Sequence, residues 1–330
     1  MELYKDILET LGNTPLVRLD RFFPGAATLA AKLEFFNPGS SVKDRIGISM
    51  IDAAIESGQL KPGDTIVEPT SGNTGLGLAI VAALRGFKMV CTMADKAPAE
   101  KIALLKAYGV EVVVCPTDVG PDDERSYYKT AERIRDDRGA FLPYQYYNQA
   151  NPEAHYRSTG PEIWRQTDGQ VTHWVAGIGT GGTISGVGKY LKERNPSIKV
   201  VGVDPIGSVY KHYHDHGELP PDNRIHQYLI DGIGEDLLPE SVWMEYVDEV
   251  ISIEDETAYS AVFELARSEA IFTGSSGAAA AVAARQVAKQ CSDDALVVTL
   301  FPDSGERYLS KLNEEWLRSQ GLSMNDVESS

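Results

Sequence analysis

Cysteine is scarce in this chain: three residues in 330, Cys91, Cys115 and Cys291, with no CxxC spacing. An odd, sparse set of this kind predicts buried, inert thiols in a reducing compartment rather than a disulfide framework. Positive charge is also short. Thirty-one Lys and Arg against 48 Asp and Glu leave a formal charge of −17. Such a surface repels nucleic-acid backbones and anionic membranes, so neither is expected as a partner. Any phosphate bound here must be held by a local site against the global field. Long apolar runs are missing too. The longest, Leu76–Leu84, has nine residues, where a spanning helix needs about 20. Met1–Asp6 carries an acid at position 2 and no apolar h-region, so no signal peptide is expected, and the reading is of a soluble, cytoplasmic protein. There is no internal repeat, no low-complexity tract and no Walker A motif. Gly188-Lys189 is followed by Tyr190 and lacks the leading glycine.

What is present is an ordinary globular balance. With 42% apolar and 24% charged residues, disorder is excluded and a large core is within reach. Short β-branched runs alternate with helical patterns. Strands are predicted at 65–68, 88–92, 110–114, 173–176, 199–203, 249–253 and 295–301. Helices are predicted at 75–85, 98–108, 123–137, 183–193, 256–269 and 276–289, with another starting just before Lys43. That alternation means βαβ units on parallel sheet. Two blocks are visible, about 43–140 and 172–305, and the Tyr-, Gln- and Asn-rich segment 144–152 separates them. The irregular stretch 205–240 is too long for a simple connection and reads as functional or mobile. A polar tail at 321–330 reads as frayed.

The most informative segment is Val175–Thr183, Val-Ala-Gly-Ile-Gly-Thr-Gly-Gly-Thr. It follows a strand and opens a helix. Backbone N–H groups at such a turn can approach an anion closely, and the helix N-terminus adds partial positive charge. This phosphate cradle needs no Lys or Arg, which answers the problem set by the net charge. The segment also satisfies a dinucleotide fingerprint. Gly177, Gly179 and Gly182 fit G-x-G-x-x-G, and Asp204 ends the next strand where a ribose-binding acid would sit. An NAD-linked oxidoreductase therefore stays open on this motif.

A second glycine turn, Thr70-Ser71-Gly72-Asn73-Thr74, also joins a strand to a helix and could grip a small carboxylate. Lys43, in Asn37-Pro-Gly-Ser-Ser-Val-Lys43-Asp-Arg45, sits just inside a helix start. A lysine there meets the positive end of the helix dipole. That placement favours the neutral amine that Schiff-base chemistry requires. Ser40-x-x-Lys43 matches a serine acyl-enzyme motif but has no Lys-Thr-Gly or Ser-Asp-Asn partner. His212, His214 and His216 would share one face of a strand and could bind zinc. No Cys lies nearby and the segment reads as a solvated loop, so no metal is expected.

Together these segments resemble the fold-type II pyridoxal-phosphate enzymes. Asn37–Arg45 is similar to their Schiff-base lysine segment, Thr70–Thr74 to their substrate-carboxylate loop and Gly179–Thr183 to their phosphate loop. Gly274-Ser-Ser-Gly277 is similar to the turn that meets the pyridine nitrogen, and Leu11-Gly-Asn-Thr-Pro-Leu-Val-Arg18 also belongs to the pattern. Within that class the match is to the β-replacement branch, the cysteine synthase and cystathionine β-synthase family. Glu34-Phe-Phe-Asn37, Asn151-Pro-Glu-Ala-His-Tyr156 and Asp231-Gly-Ile-Gly-Glu-Asp-Leu237 lean toward bacterial-type cystathionine β-synthase.

The resemblance implies an α/β fold of two three-layer αβα domains of the tryptophan synthase β-subunit-like class, with pyridoxal 5′-phosphate in the cleft between them. A smaller, mobile domain at 43–148 would carry the carboxylate loop. A larger one, 1–42 plus 149–320, would carry the phosphate loop. A homodimer is implied. Neither the haem-binding extension nor the paired regulatory module of animal enzymes is matched, so regulation by a nucleotide-like activator is not expected.

Residue by residue, Lys43 would hold the cofactor and act as general base. Gly179, Thr180, Gly181, Gly182 and Thr183 would hold its phosphate, Asn73 its 3′-oxygen and Ser275 its pyridine nitrogen. Thr70, Ser71, Gly72, Thr74, Gln145 and Gly232 would bind the amino-acid substrate. Glu235 and Asp236 would attract the ammonium group of a second substrate, or simply cap a turn. The implied reaction is L-serine plus L-homocysteine to L-cystathionine through an aminoacrylate. The alternative within the family is O-acetylserine plus sulfide to cysteine.

Overall fold

The computed structural model describes residues 3–70, 72–95, 97, 99–116, 118–120 and 122–322. Within them the strands are β1 (Leu16–Arg18), β2 (Thr28–Leu33), β3 (Thr65–Pro69), β4 (Lys88–Ala94), β5 (Glu111–Cys115), β6 (His173–Gly177), β7 (Lys199–Pro205), β8 (Glu249–Ile253) and β9 (Leu296–Phe301). The helices are α1 (Lys43–Glu56), α2 (Asn73–Arg85), α3 (Ala99–Ala107), α4 (Tyr127–Arg138), α5 (Ala150–Arg157), α6 (Thr159–Gln166), α7 (Gly182–Arg194), α8 (Tyr210–His216), α9 (Asp255–Ser268), α10 (Ser275–Ala288) and α11 (Glu314–Ser319). No helix among the described residues is long and apolar enough to cross a membrane. The chain divides into two compact units. One comprises Met1–Leu11 and Asn37–Asn151, the other Gly12–Phe36 and Pro152–Ser330.

In the first unit β3, β4 and β5 form a parallel sheet in that order. Phe141 adds a parallel bridge on the free side of β3, with its N–H and C=O bonded to Thr65 and Val67. The core here is β-branched and alanine-rich: Val67, Val90, Ala131 and Ile134 pack together. Ligand loops of parallel sheets emerge at the carboxyl ends of the strands. Here β3 ends at Pro69, and residues 70–72 lead directly into α2.

The second unit holds a six-stranded sheet in the order β1-β2-β9-β6-β7-β8, with β1 antiparallel and the rest parallel. From β6 the chain steps to β7 and β8 on one side, then returns to β9 on the other. The carboxyl end of β6 is therefore a topological switch point, the usual place for a ligand. The run Ala278–Ala284 in α10 is buried against Leu29, Val175, Val297 and Phe301.

Strands β1 and β2 are absent from the sequence reading. Thr-Leu-Ala-Ala-Lys-Leu carries little β propensity, so burial between β1 and β9, rather than local preference, makes it a strand. Its Lys32 is fully buried, and the ammonium is satisfied by Thr14 O at 3.1 Å, Gln166 Oε1 at 2.9 Å and Glu162 Oε2 at 2.8 Å. The loop reading of 212–216 is corrected as well. These residues are helical, with Asp204 Oδ2 accepting the Lys211 N–H and Lys211 pairing with Asp215 four residues on. The helix starts predicted at 98 and the tail at 323–330 lie outside the described residues.

Candidate active site

In the first unit Lys43 opens α1. The loop before it is tied down by the next residue. Asp44 is buried, and its carboxylate accepts the Gly39 N–H at 2.6 Å and faces the Ser41 hydroxyl at 3.4 Å. Asn37 Nδ2 donates to Ser41 O at 3.2 Å, and Ser40 adopts a left-handed φ of 57°. An acid in the first turn also suits the helix dipole. A cation there does not, which is the setting that favours a neutral amine at Lys43. Helices α1 and α2 cross where Gly47 faces Gly77. A Cβ on Gly77 would lie 2.6 Å from Lys43 O. That contact sets the start of α1 beside the start of α2, which carries Asn73 and Thr74.

Thr70 and Gly72 precede that helix. The Thr70 hydroxyl accepts the Gly72 N–H at 3.3 Å. Thr74 donates its hydroxyl to Gln145 Oε1 at 2.6 Å, and both are buried. The structure thus brings Thr70, Gly72, Thr74 and Gln145 to one place, although Gln145 is 71 residues from Thr74. Ser71 lies outside the described residues.

In the second unit β6 runs into the glycine turn and then into the 13-residue α7. Gly181 is its N-cap, with φ 82°, and has no side chain to cap the first-turn N–H groups. The turn is wedged from behind. A Cβ on Gly179 would lie 2.5 Å from Gly232 O, and one on Gly181 would lie 2.1 Å from Val242 Cγ2. Carbonyls of the turn are held by distant hydroxyls: Tyr210 donates to Gly179 O, and Ser241 to Thr180 O at 2.6 Å. The Thr183 hydroxyl meets Nε2 of the buried His155 at 3.2 Å.

Ser275 opens α10 and is buried. Its Oγ accepts the Asp231 N–H at 3.0 Å, which joins it to Gly232. The Asp231 carboxylate pairs with Lys311 at 2.7 Å. The turn before Ser275 rests on Asp303, whose carbonyl accepts from Thr273 Oγ1 and Gly274 N. The stretch 205–240 returns to the glycine turn: Gly234 N–H donates to Ile178 O at 2.7 Å. Glu235 is placed by its N–H to Ser208 Oγ at 3.0 Å and its C=O from Val209 N–H. Asp236 beside it is exposed. Burial first, then the nearby carboxylates Glu235, Asp204 and Asp236, push the Tyr228 phenol well above its usual range.

The ribose-acid reading falls here. Asp204 does not offer a carboxylate to a ribose. It is fully buried, and its bonds go to Ser208 and to the backbone at the start of α8. Burial raises its pKa to about 6 against those bonds. The three histidines do not converge. His212 and His216 stack with ring centroids 4.2 Å apart, and His214 turns to Asp215. Among the described residues no group of three ligating side chains suits a metal. Of the cysteines, Cys91 and Cys115 are buried, but Cys291 is only partly so and lies 3.5 Å from His173 Nε2.

Asp44, His155, Tyr210 and Ser241 were not singled out from sequence. For Asp44 a signal existed, an acid directly after a helix-start lysine. The others touch the glycine turn across 28 to 61 residues of chain, and nothing local marks them.

Residues 7–303 match the family model described as pyridoxal-phosphate dependent enzyme. A cysteine synthase of Staphylococcus aureus is 42% identical over 307 residues, covering 92% of this chain and 95% of that protein. A cystathionine beta-synthase of Apis mellifera is 39% identical over 326 residues, and the match covers 97% of this chain but 64% of that protein's length. Among solved structures, an O-ureido-L-serine synthase superposes with TM-score 0.86 at 36% identity, covering 94% of each chain. An O-acetylserine dependent cystathionine beta-synthase from Helicobacter pylori gives 0.83 at 36%, covering 94% of this chain and 99% of that one. These likenesses overrule the dinucleotide fingerprint. The chain belongs to the pyridoxal-phosphate dependent enzymes, among relatives named cystathionine beta-synthase and cysteine synthase.

Proposed function

We propose that the protein catalyses β-replacement on an L-amino acid, joining L-serine or an O-acylated serine to L-homocysteine to give L-cystathionine. The observation that carries this reading is the uncapped, side-chain-free start of α7, wedged against Gly232 and Val242. Backbone donors at a helix N-terminus suit a phosphate dianion in a chain of net charge −17. The residues present therefore fit pyridoxal 5′-phosphate. Gly179–Thr183 would hold its phosphate, Lys43 its aldehyde, Asn73 its 3′-oxygen and Ser275 its ring nitrogen. When bound, this cofactor supplies an electron sink that makes the substrate α-proton acidic and the β-substituent able to leave.

The chain's own residues do the rest. Thr70, Gly72, Thr74 and Gln145 bind the substrate carboxylate. The Lys43 Nζ, freed from the cofactor, would be the base that takes the substrate α-proton. Ser275 Oγ accepts from the Asp231 N–H and also meets the Tyr259 hydroxyl, so its hydrogen would have to turn from Tyr259 to serve a ring nitrogen. A hydroxyl, unlike a carboxylate, would leave that nitrogen unprotonated, so the bound cofactor would supply a weaker sink that favours elimination over transamination. Glu235 and Asp236 supply the negative charge that a homocysteine ammonium group needs and sulfide does not.

The test is a substrate panel of serine and O-acetylserine against homocysteine and sulfide, with products identified by mass. Cystathionine as the main product, and a homocysteine KM that rises selectively in the Glu235→Gln/Asp236→Asn double variant, are the expected results. Cysteine formed from O-acetylserine and sulfide in preference would establish the second reading, which the Staphylococcus aureus relative favours. A homodimer in the cytoplasm accompanies the proposal, and light scattering checks the first part.

The phosphate assignment has its own test. Gly181→Ala would place a Cβ 2.1 Å from Val242 Cγ2 at a φ of 82°. Strain of about 2 kcal/mol corresponds to roughly 30-fold weaker cofactor binding, read by fluorescence titration of the apoprotein. Unchanged affinity would exclude this turn as the phosphate site.

A further inference from the structure

Glu68 has no part in the chemistry above, yet it is fully buried at the end of β3, one residue before the Pro69–Thr70 turn. A buried carboxylate is costly unless its oxygens are bonded. Here both are taken by consecutive backbone donors: Tyr144 N–H at 2.8 Å and Gln145 N–H at 3.2 Å. Tyr144 has a φ of 53°, a left-handed backbone that a tyrosine adopts only when its surroundings impose it. The next residue, Gln145, accepts the Thr74 hydroxyl at 2.6 Å through Oε1 and the Asn151 side chain at 2.9 Å through its carbonyl. One carboxylate thus fixes the backbone that aims Gln145 at Thr74.

We propose that Glu68 is a positioning residue that sets affinity for the amino-acid substrate, by holding Tyr144 and Gln145 so that Gln145 stays in register with Thr74. This rests on reading the Thr70–Thr74 loop as the substrate-carboxylate site. Protonation turns one carboxylate oxygen into a hydroxyl, a donor with a much weaker acceptor, and so loosens its hold on one of the two N–H groups. Burial raises the Glu68 pKa to about 7, against the pull of those two bonds. The titratable groups facing it are Cys91 from β4 and Tyr144. Burial raises both, and Tyr147, then Glu132 and Lys129 of α4, also act on Tyr144. Of these groups Glu68 is the one that changes charge near neutrality. The site should therefore weaken as the pH falls through about 7.

The experiment measures KM for O-acetylserine on the cofactor-loaded protein, at about pH 6 and about pH 8.5, in the wild type, Glu68→Gln and Gln145→Ala. Glutamine mimics the permanently protonated acid. Its KM should be about tenfold above wild type at the higher pH and approach it at the lower, with kcat within a factor of about two and the thiol KM unmoved. An increase of equal size at both pH values, or none, overturns the positioning role while Gln145→Ala still raises KM. If Gln145→Ala leaves KM unchanged, the carboxylate-site reading fails instead. Should Glu68→Gln not fold, the wild type alone decides: its KM must fall as pH rises through 7, and a flat profile overturns the proposal.

Discussion

Lys43→Ala is expected to abolish turnover, with a loss of about 10⁴-fold or more, because one change removes the residue proposed both to hold the cofactor covalently and to act as general base. The visible absorbance of the purified protein should change, and borohydride should no longer attach the cofactor to the chain. The fold should survive. Lys43 is only partly buried, and the loop before it is held by Asp44, Asn37 and Ser41. Activity, absorbance and urea denaturation on one preparation separate these effects. Retained catalysis, or a borohydride adduct at another lysine, would remove the central assignment.

The second large effect needs no change in any reacting group. Gly77→Ala would place a Cβ 2.6 Å from Lys43 O, 3.0 Å from Lys43 C and 3.1 Å from Asp44 Cα. All three atoms are backbone, so no side chain can swing aside. A Cβ added on Gly47 would in turn lie 2.6 Å from Gly77 C, so the crossing is equally tight seen from α1. The helices must separate, at a cost of about 3 kcal/mol. Because the contact lies at the first turn of α1, separation moves Lys43. A displacement of about 1 Å at a reacting group costs on the order of 10²-fold in rate. Gly77→Ala should therefore lose activity well below its unfolding midpoint. Gly120→Ala, with nothing within 4 Å of its Cβ, should behave as wild type in both assays. Equal stability for the two variants would show that α1 and α2 pack less closely than described.

The same helix crossing marks where sequence reading stops. The two glycines read there as ordinary helix residues, Gly47 in Ile-Gly-Ile and Gly77 in Leu-Gly-Leu. Nothing in either tripeptide says that they face each other. The glycine turn at Gly177–Thr183 was legible because its signal is local: a strand, a cluster of glycines and a helix start, within one βαβ unit. Yet its ligand was not settled by that pattern, since a dinucleotide fold uses the same residues for the same backbone reasons. Asp204 illustrates the ambiguity. By spacing it is a ribose acid, and in the folded chain it caps α8.

β2 shows the limit for secondary structure. Its alanines carry no strand signal, and pairing with β1 and β9 alone makes it one. The helix at 210–216 was hidden for a related reason. Three histidines suggested a loop, whereas Asp204 and the Lys211–Asp215 pair stabilise a short helix.

Local patterns in the amino-acid order determined the α/β class, most strands and helices, the two anion-suited turns and the lysine at a helix start. Each of these is written within about ten residues, the range over which backbone propensity and capping act. Only the tertiary structure decided which buried groups support them: Glu68 under Gln145, Ser241 and Tyr210 behind the glycine turn, Gly77 against Lys43. Those contacts join residues tens of positions apart. Their energies come from burial and hydrogen bonding, which exist only once the chain has folded.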